Sequence, residues 1–171
     1  MRKRLMLVFA LLFPFAGMAQ SQCGSATPPD MEGPFYKAGA PARPSLAEPG
    51  SKAEKMALTG VVRSADCKPL AGVKLDFWQA DANGDYDNQG YRYRGVVTTD
   101  AEGRYRLETN LPPPYMGRPR HIHVKLQRPG GKILTTQLYF PGESRGADRQ
   151  LVVTVEGGPK NPQAIFDFVL P

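Results

Sequence analysis

Only two histidines occur among the 171 residues, His121 and His123, one residue apart in the stretch RPRHIHVKL (118–126). On a β-strand residues i and i+2 share a face. His121, His123, Lys125 and Gln127 therefore face one way, and Ile122, Val124 and Leu126 form the opposite, apolar face. Imidazoles so placed stand about 7 Å apart at Cβ and can reach one metal ion between them. The same spacing also suits a polar outer face that happens to carry two histidines.

Several metal sites are excluded by the remaining residues. Two histidines cannot make a three-histidine zinc site. The iron site of two histidines and one carboxylate needs a remote second histidine, which is absent. A cupin-like site needs Glu three or four residues beyond the second histidine, where Leu126 and Gln127 stand. DANGDYDNQG (81–90) starts like a calcium loop but has Tyr86 at its sixth position and leads to Arg92 at the twelfth, where Gly and Glu are required. A zinc hydrolase with two histidines and a carboxylate is chemically feasible but has no motif behind it. Carboxylates and tyrosines remain as partners. Phenolate is a hard anionic donor that suits ferric iron. Its reference pKa is about 10, so a strong Lewis acid must replace the proton. Tyr86 and Tyr115 both fall in loops, and Pro112-Pro113-Pro114 aims Tyr115 six residues ahead of His121. A loop tyrosine is also commonly an apolar body with a hydrogen-bonded tip, and the residues alone leave both readings open.

The elements that must position these groups are short. β-like runs cover Leu58–Arg63, Val73–Gln79, Gly95–Thr99, Arg104–Glu108, His121–Gln127, Ile133–Phe140, Leu151–Val155 and Ile165–Val169. Turn chemistry separates them at Lys68-Pro69, Asn83-Gly84, Glu102-Gly103, Arg128-Pro129-Gly130-Gly131 and Pro141-Gly142. No long amphipathic helix is visible. About eight short strands at this spacing predict an all-β antiparallel β-sandwich over residues 56–171. Residues 20–55 are rich in Pro, Gly, Ala and Ser with no hydrophobic period, and read as an extended N-terminal arm draped over that domain.

The first 19 residues read as a secretory signal peptide. Arg2, Lys3 and Arg4 form a basic start, an apolar run follows, and Gly17-Met18-Ala19 offers small residues for cleavage. The run is too short to span a membrane, so export without a membrane anchor is expected, to the periplasm or beyond. Removing this leader lowers the formal charge from +6 to +3. The remaining basic residues are scattered, which gives no sign of nucleic acid. Two cysteines, Cys23 and Cys67, predict one disulfide in an exported chain, tying the arm to the turn at 66–72. Composition does not decide the oligomeric state.

Taken together, EGPFYKAGAP (32–41), DFWQADANGDYDNQG (76–90), TTDAEGRYRLET (98–109), PPYMGRPRHIHVKL (113–126) and LTTQLYF (134–140) resemble the intradiol ring-cleaving dioxygenases. Catechol 1,2-dioxygenase and protocatechuate 3,4-dioxygenase are members of that family. The resemblance runs over roughly residues 28–141, in order. It implies a non-haem Fe(III) centre held by Tyr86, Tyr115, His121 and His123. It also implies that Tyr115 leaves the iron and takes a proton when a catecholic substrate binds. Arg118 matches an arginine beside the substrate and Gln137 a glutamine next to it. Met31 and Pro34 fall in a segment that packs by the active site. The implied reaction cleaves the ring between its two hydroxylated carbons with O2 and gives a muconate-type diacid. The five residues between Tyr115 and His121 are fewer than in familiar members, which implies a more open site for bulkier catechols. LTGVVRSADCKPLAGVKLDFW (58–78), followed by TTDAEGRYRLET, also resembles transthyretin-like and carboxypeptidase-regulatory modules. These are exported binding modules without catalysis. That alternative explains the strands but leaves the His strand, Tyr115 and Gln137 without a role.

Overall fold

The computed structural model describes residues 23–114, 116–142, 149–158 and 162–171. The leader at 1–19 and Tyr115 lie outside the described residues. Among the described residues nine strands are formed: β1 (Lys55–Ser64), β2 (Lys74–Trp78), β3 (Arg94–Thr98), β4 (Arg104–Asn110), β5 (His121–Gln127), β6 (Ile133–Tyr139), β7 (Thr154–Glu156), β8 (Gln163–Ile165) and β9 (Phe168–Leu170). No α-helix is found among the described residues, and no helix there is long and apolar enough to cross a membrane.

The strands form two sheets, as the turn spacing predicts. One runs β4-β1-β8-β7 with β9 also on β1, and the other runs β3-β2-β5-β6. The alternation read on β5 places Ile122, Val124 and Leu126 in the core, each without solvent exposure. They meet Leu75, Phe77 and Leu138 of their own sheet and Leu58, Val62, Leu107 and Phe168 of the other in one hydrophobic cluster.

The C-terminal part departs from the predicted pattern. The run expected at Leu151–Val155 is a short 3-10 turn at Arg149–Leu151 followed by β7. The run expected at Ile165–Val169 is split into β8 and β9, and both pair parallel to β1, not antiparallel. The register is the same on both sides of the break, with Thr59 opposite Ile165 and Val62 opposite Phe168. At the break the Phe166 carbonyl leaves the ladder to accept a hydrogen bond from the Tyr105 hydroxyl at 2.8 Å. The Asp167 carboxylate then takes the Val61 N–H at 2.8 Å. Gly60 permits this approach, because a Cβ there would stand 1.8 Å from the Phe166 oxygen.

The arm is a third, thin layer. A disulfide joins Cys23 to Cys67 with their Cα atoms 4.9 Å apart. Thr27 then exchanges hydrogen bonds with Val169, and the Asp30 N–H donates to the Thr135 carbonyl at 3.0 Å. Further on, Ala42 bridges β3 at Val96 and Ser45 bridges β4 at Glu108. Each contact covers an open sheet edge, the usual remedy for unpaired strand groups. Leu46 follows and is fully buried in the main core, which fastens the arm. Gly60→Ala must displace backbone, and overpacking of this kind costs about 1–3 kcal/mol. A lowered denaturation midpoint in urea with an unchanged slope is the expected result.

Candidate metal centre

The chemistry lies on the face of the second sheet that points away from the core. Register fixes its layout. Trp78 of β2, His123 of β5 and Gln137 of β6 form one transverse row, and His121 stands opposite Tyr139. The alternative of a solvated polar face does not apply, because His121 and His123 are only 3% and 2% exposed. The arm and the loop carrying Tyr86 cover them. Gly33, with φ of 71°, lies against His123, and a Cβ there would come within 3.4 Å of the imidazole. Trp78 stacks on the other side of His123, with ring centroids 4.8 Å apart and planes 7° apart.

The imidazoles meet edge to face with centroids 4.8 Å apart. His121 Nδ1 lies 2.7 Å from the Pro119 carbonyl, an acceptor only. Nδ1 therefore carries the proton, and the lone pair sits on Nε2. That bare Nε2 faces the Tyr86 hydroxyl at 3.3 Å and Arg118 Nη1 at 3.5 Å. A second bond of this kind is what orients a metal-ligating histidine. Burial pulls the His121 pKa down, only partly offset by the Pro119 bond. His123 is pushed down to about 2, by burial first and then by His121, Arg118 and Arg94. Both rings are therefore neutral. Nδ1 of His123 is buried with no hydrogen-bond partner.

Tyr86 is presented by a loop pinned on both sides. The Asp81 carboxylate accepts the N–H groups of Asn83 and Asp85 at 2.8 and 3.1 Å. The Asp87 carboxylate accepts those of Gln89, Gly90 and Arg92 at 3.1, 2.7 and 2.9 Å. These backbone donors hold the Asp87 pKa down to about 2. Arg94, 1% exposed, donates from Nε to the Asp87 carbonyl at 2.9 Å and anchors the loop to β3. The stretch that starts like a calcium loop thus spends two carboxylates, Asp81 and Asp87, on backbone N–H groups. The Tyr86 ring stacks on Phe35 of the arm at 4.6 Å.

Arg118 follows Met116 and Gly117, both in the left-handed region with φ of 42° and 76°. Its Nη2 donates to Gln137 Oε1 at 2.9 Å and to the Tyr139 hydroxyl at 3.3 Å. Gln137 Nε2 donates to the Met31 carbonyl at 2.6 Å. The Met31 side chain is 58% exposed, and Pro34 is an exposed residue between Gly33 and Phe35. Tyr86, His121, His123, Arg118 and Gln137 thus converge, with Met31 and Pro34 at the margin. Sequence reasoning missed Asp30, Tyr139 and Trp78 here. Tyr139 lies within LTTQLYF, and its place opposite His121 on a paired strand was the signal that could have found it.

The donor set can be tested against a metal. Among the described residues no three His, Cys, Asp or Glu side chains gather. An ion at this corner would have two neutral imidazoles and phenolic oxygen as its protein donors, a mixed set suited to ferric iron and poor in the thiolates that soft ions prefer. The unpartnered nitrogen of His123 is consistent with a ring placed for something other than an internal hydrogen bond.

A family profile described as "Dioxygenase" matches residues 31–158. Chlorocatechol 1,2-dioxygenase of Pseudomonas sp. strain P51 is 33% identical over 149 residues, covering 72% of this chain and 59% of that protein. Catechol 1,2-dioxygenase of Acinetobacter baylyi is 33% identical over 162 residues, covering 78% of this chain and 52% of that protein. The chain thus spans between half and three-fifths of the length of these curated relatives. Among solved structures, the dioxygenase domain of a dioxygenase carbohydrate-binding protein fusion from Streptomyces sp. SirexAA-E is 46% identical. It superposes with a TM-score of 0.82, covering 85% of this chain and 98% of that one. 3-Chlorocatechol 1,2-dioxygenase from Rhodococcus opacus 1CP is 28% identical with a TM-score of 0.73, covering 81% and 70%. On the profile match and on these relatives, the chain belongs to the intradiol dioxygenase family.

Proposed function

We propose that this protein is a non-haem Fe(III) intradiol dioxygenase. It opens a catecholic ring between the two hydroxylated carbons with O2 and yields a muconate-type diacid that retains both oxygen atoms. One observation carries the reading: two buried neutral imidazoles and the Tyr86 hydroxyl meet in a corner that Arg118 borders. A transthyretin-like binding module has no use for that corner, and the comparisons do not favour it. Tyr86, Tyr115, His121 and His123 would hold the iron. When bound, the ion supplies a Lewis acid and a template for the two catechol oxygens.

The chain's own residues do the rest. Tyr115 is assigned to accept one catechol proton, on the family resemblance. Arg118 presents a fixed cation where negative charge develops, a preorganised electrostatic role. Gln137 holds the guanidinium from the sheet side. Trp78 and the Gly33 backbone pack on His123, Phe35 packs on the Tyr86 ring, and together they limit water at the corner. Met31 and Pro34 edge the approach and are placed to touch substrate. We further propose that the chain is exported, supported by the leader pattern at 1–19 and by the Cys23–Cys67 pair, which an oxidising compartment preserves.

Ferric-loaded protein is expected to be wine-red to brown from tyrosinate-to-iron charge transfer, read by visible absorption. Tyr86→Phe should remove much of that band, and His123→Ala should leave little iron by elemental analysis. Colourless protein that nonetheless holds ferric iron would contradict the ligand assignment. Oxygen uptake with simple, halogenated and bulky catechols measures the activity itself. Arg118→Met should lower kcat by about 10²–10³-fold, the usual loss for one oriented charge-stabilising donor. Background uptake across the panel by iron-bound protein would overturn the enzyme reading.

A further inference from the structure

An arginine side chain is long and free to rotate, so a guanidinium that acts on a reacting centre has to be aimed. The aim of Arg118 Nη2 is set by its two acceptors, Gln137 and Tyr139, and both are fixed from the arm. Gln137 spends its amide nitrogen on the Met31 carbonyl, which turns Oε1 toward Arg118. Tyr139 has one hydroxyl proton and gives it to Asp30 Oδ2 at 2.7 Å, leaving lone pairs toward Arg118 Nη2 at 3.3 Å. Asp30 is itself held, by its N–H to the Thr135 carbonyl at 3.0 Å and by its Oδ1 accepting the Met31 N–H at 2.6 Å. Tyr139 is 3% exposed and stands opposite His121 across the β5–β6 ladder, its ring centroid 6.2 Å from the imidazole.

We propose that Asp30 and Tyr139 form a positioning relay for Arg118, in which the arm's carboxylate holds the guanidinium on the metal corner through the Tyr139 hydroxyl. What Arg118 acts on rests on the function proposed above; that it is aimed by this relay does not. A hydroxyl that donates to a carboxylate is a better acceptor for the guanidinium, because each bond polarises the next. The negative charge thereby reaches Arg118 without a carboxylate entering the corner itself. Loss of the Tyr139 hydroxyl leaves Nη2 to Gln137 alone, and loss of Asp30 leaves that hydroxyl without its fixed orientation, so the charge is less firmly placed before the reaction begins.

The relay is testable with and without iron. In metal-free protein labelled with nitrogen-15, the Arg118 guanidinium signals are identified by their loss in Arg118→Lys. They should be resolved and slowly averaging in the parent and averaged in Tyr139→Phe and Asp30→Ala. Asp30→Asn keeps an acceptor and should restore the resolved pattern, which separates positioning from general damage to the fold. In iron-loaded protein Tyr139→Phe should lower kcat about tenfold with little change in KM, the signature of an interaction made in the transition state. In an Arg118→Met background the same change should cost nothing further, since the two act as one unit. Resolved guanidinium signals in Tyr139→Phe, or an equal loss in both backgrounds, would overturn the relay. A parent that consumes no oxygen with any catechol instead refutes the functional reading, while the spectra still decide the relay.

Discussion

Two uncharged imidazoles must share one desolvated corner, and the remainder of the structure answers to that constraint. Burial alone keeps both rings neutral, because the charged form of a histidine loses more solvation than the neutral one. At His123 the neighbouring His121, Arg118 and Arg94 push in the same direction. A neutral ring must still be turned the right way, and the Pro119 carbonyl does this for His121 by claiming Nδ1–H. His123 is turned by packing instead, held between the Trp78 ring and the Gly33 backbone. The corner thus selects its partners by charge. Neutral rings present lone pairs there, and an oxygen donor such as the Tyr86 hydroxyl fits beside them.

The second sheet serves two purposes at once because strand alternation separates them. Ile122, Val124 and Leu126 seal the sandwich, while His121 and His123 on the same strand face the arm. The core can be packed as densely as stability requires without touching the corner. Burial of the histidines then has to come from elsewhere. Phe35, Tyr36, Trp78, Ala80 and Tyr86 supply it as a small second apolar cluster outside the sandwich. Tyr36 also ties the arm to β2, with its hydroxyl on Asp76 at 3.0 Å. Burial, and then the nearby Asp76 carboxylate, hold that phenol protonated, with its pKa raised to about 12. Tyr36 is therefore a fastener, whereas Tyr86, a few ångströms from His121, faces the donor corner.

Much of this was legible in the sequence, for local reasons. The two-residue period on His121–Gln127 and the turn residues between short runs report the strand directly. The family pattern then brought in Tyr86 and Gln137 from other segments and gave Arg118, three residues before His121, its own role. What could not be read is non-local. Nothing in Gln163–Leu170 says that it will lie parallel to β1, because periodicity reports which face is buried and not which neighbour is paired. The break at Phe166 depends on Tyr105 and on the bare Cα of Gly60, residues far off in sequence. The burial of the histidines is non-local in the same way. A strand pattern shows a polar face, and only the folded arm shows that the face is covered. Asp30 and Tyr139 escaped notice because a single carboxylate in a loop and a tyrosine at a strand end have no local signature.

The arm's anchors explain how so irregular a segment can border a site that demands accuracy. It has no strand of its own beyond isolated bridges, so its order must come from attachments. Before the site it is held by the disulfide at Cys23, by Thr27 on Val169 and by Asp30 on Thr135. After the site it is held by Arg43 on Val96 and by Leu46, which is buried in the core with no solvent exposure. Residues 31–36 are therefore suspended between fixed ends, and Lys125 of β5 meets Glu32 in the middle of the span. A loop held this way approaches the rigidity of a strand, which is what a preorganised site requires of its supports. It does so while leaving the glycine at position 33 free to lie directly on an imidazole, a contact that the φ of 71° there makes costly for a side chain.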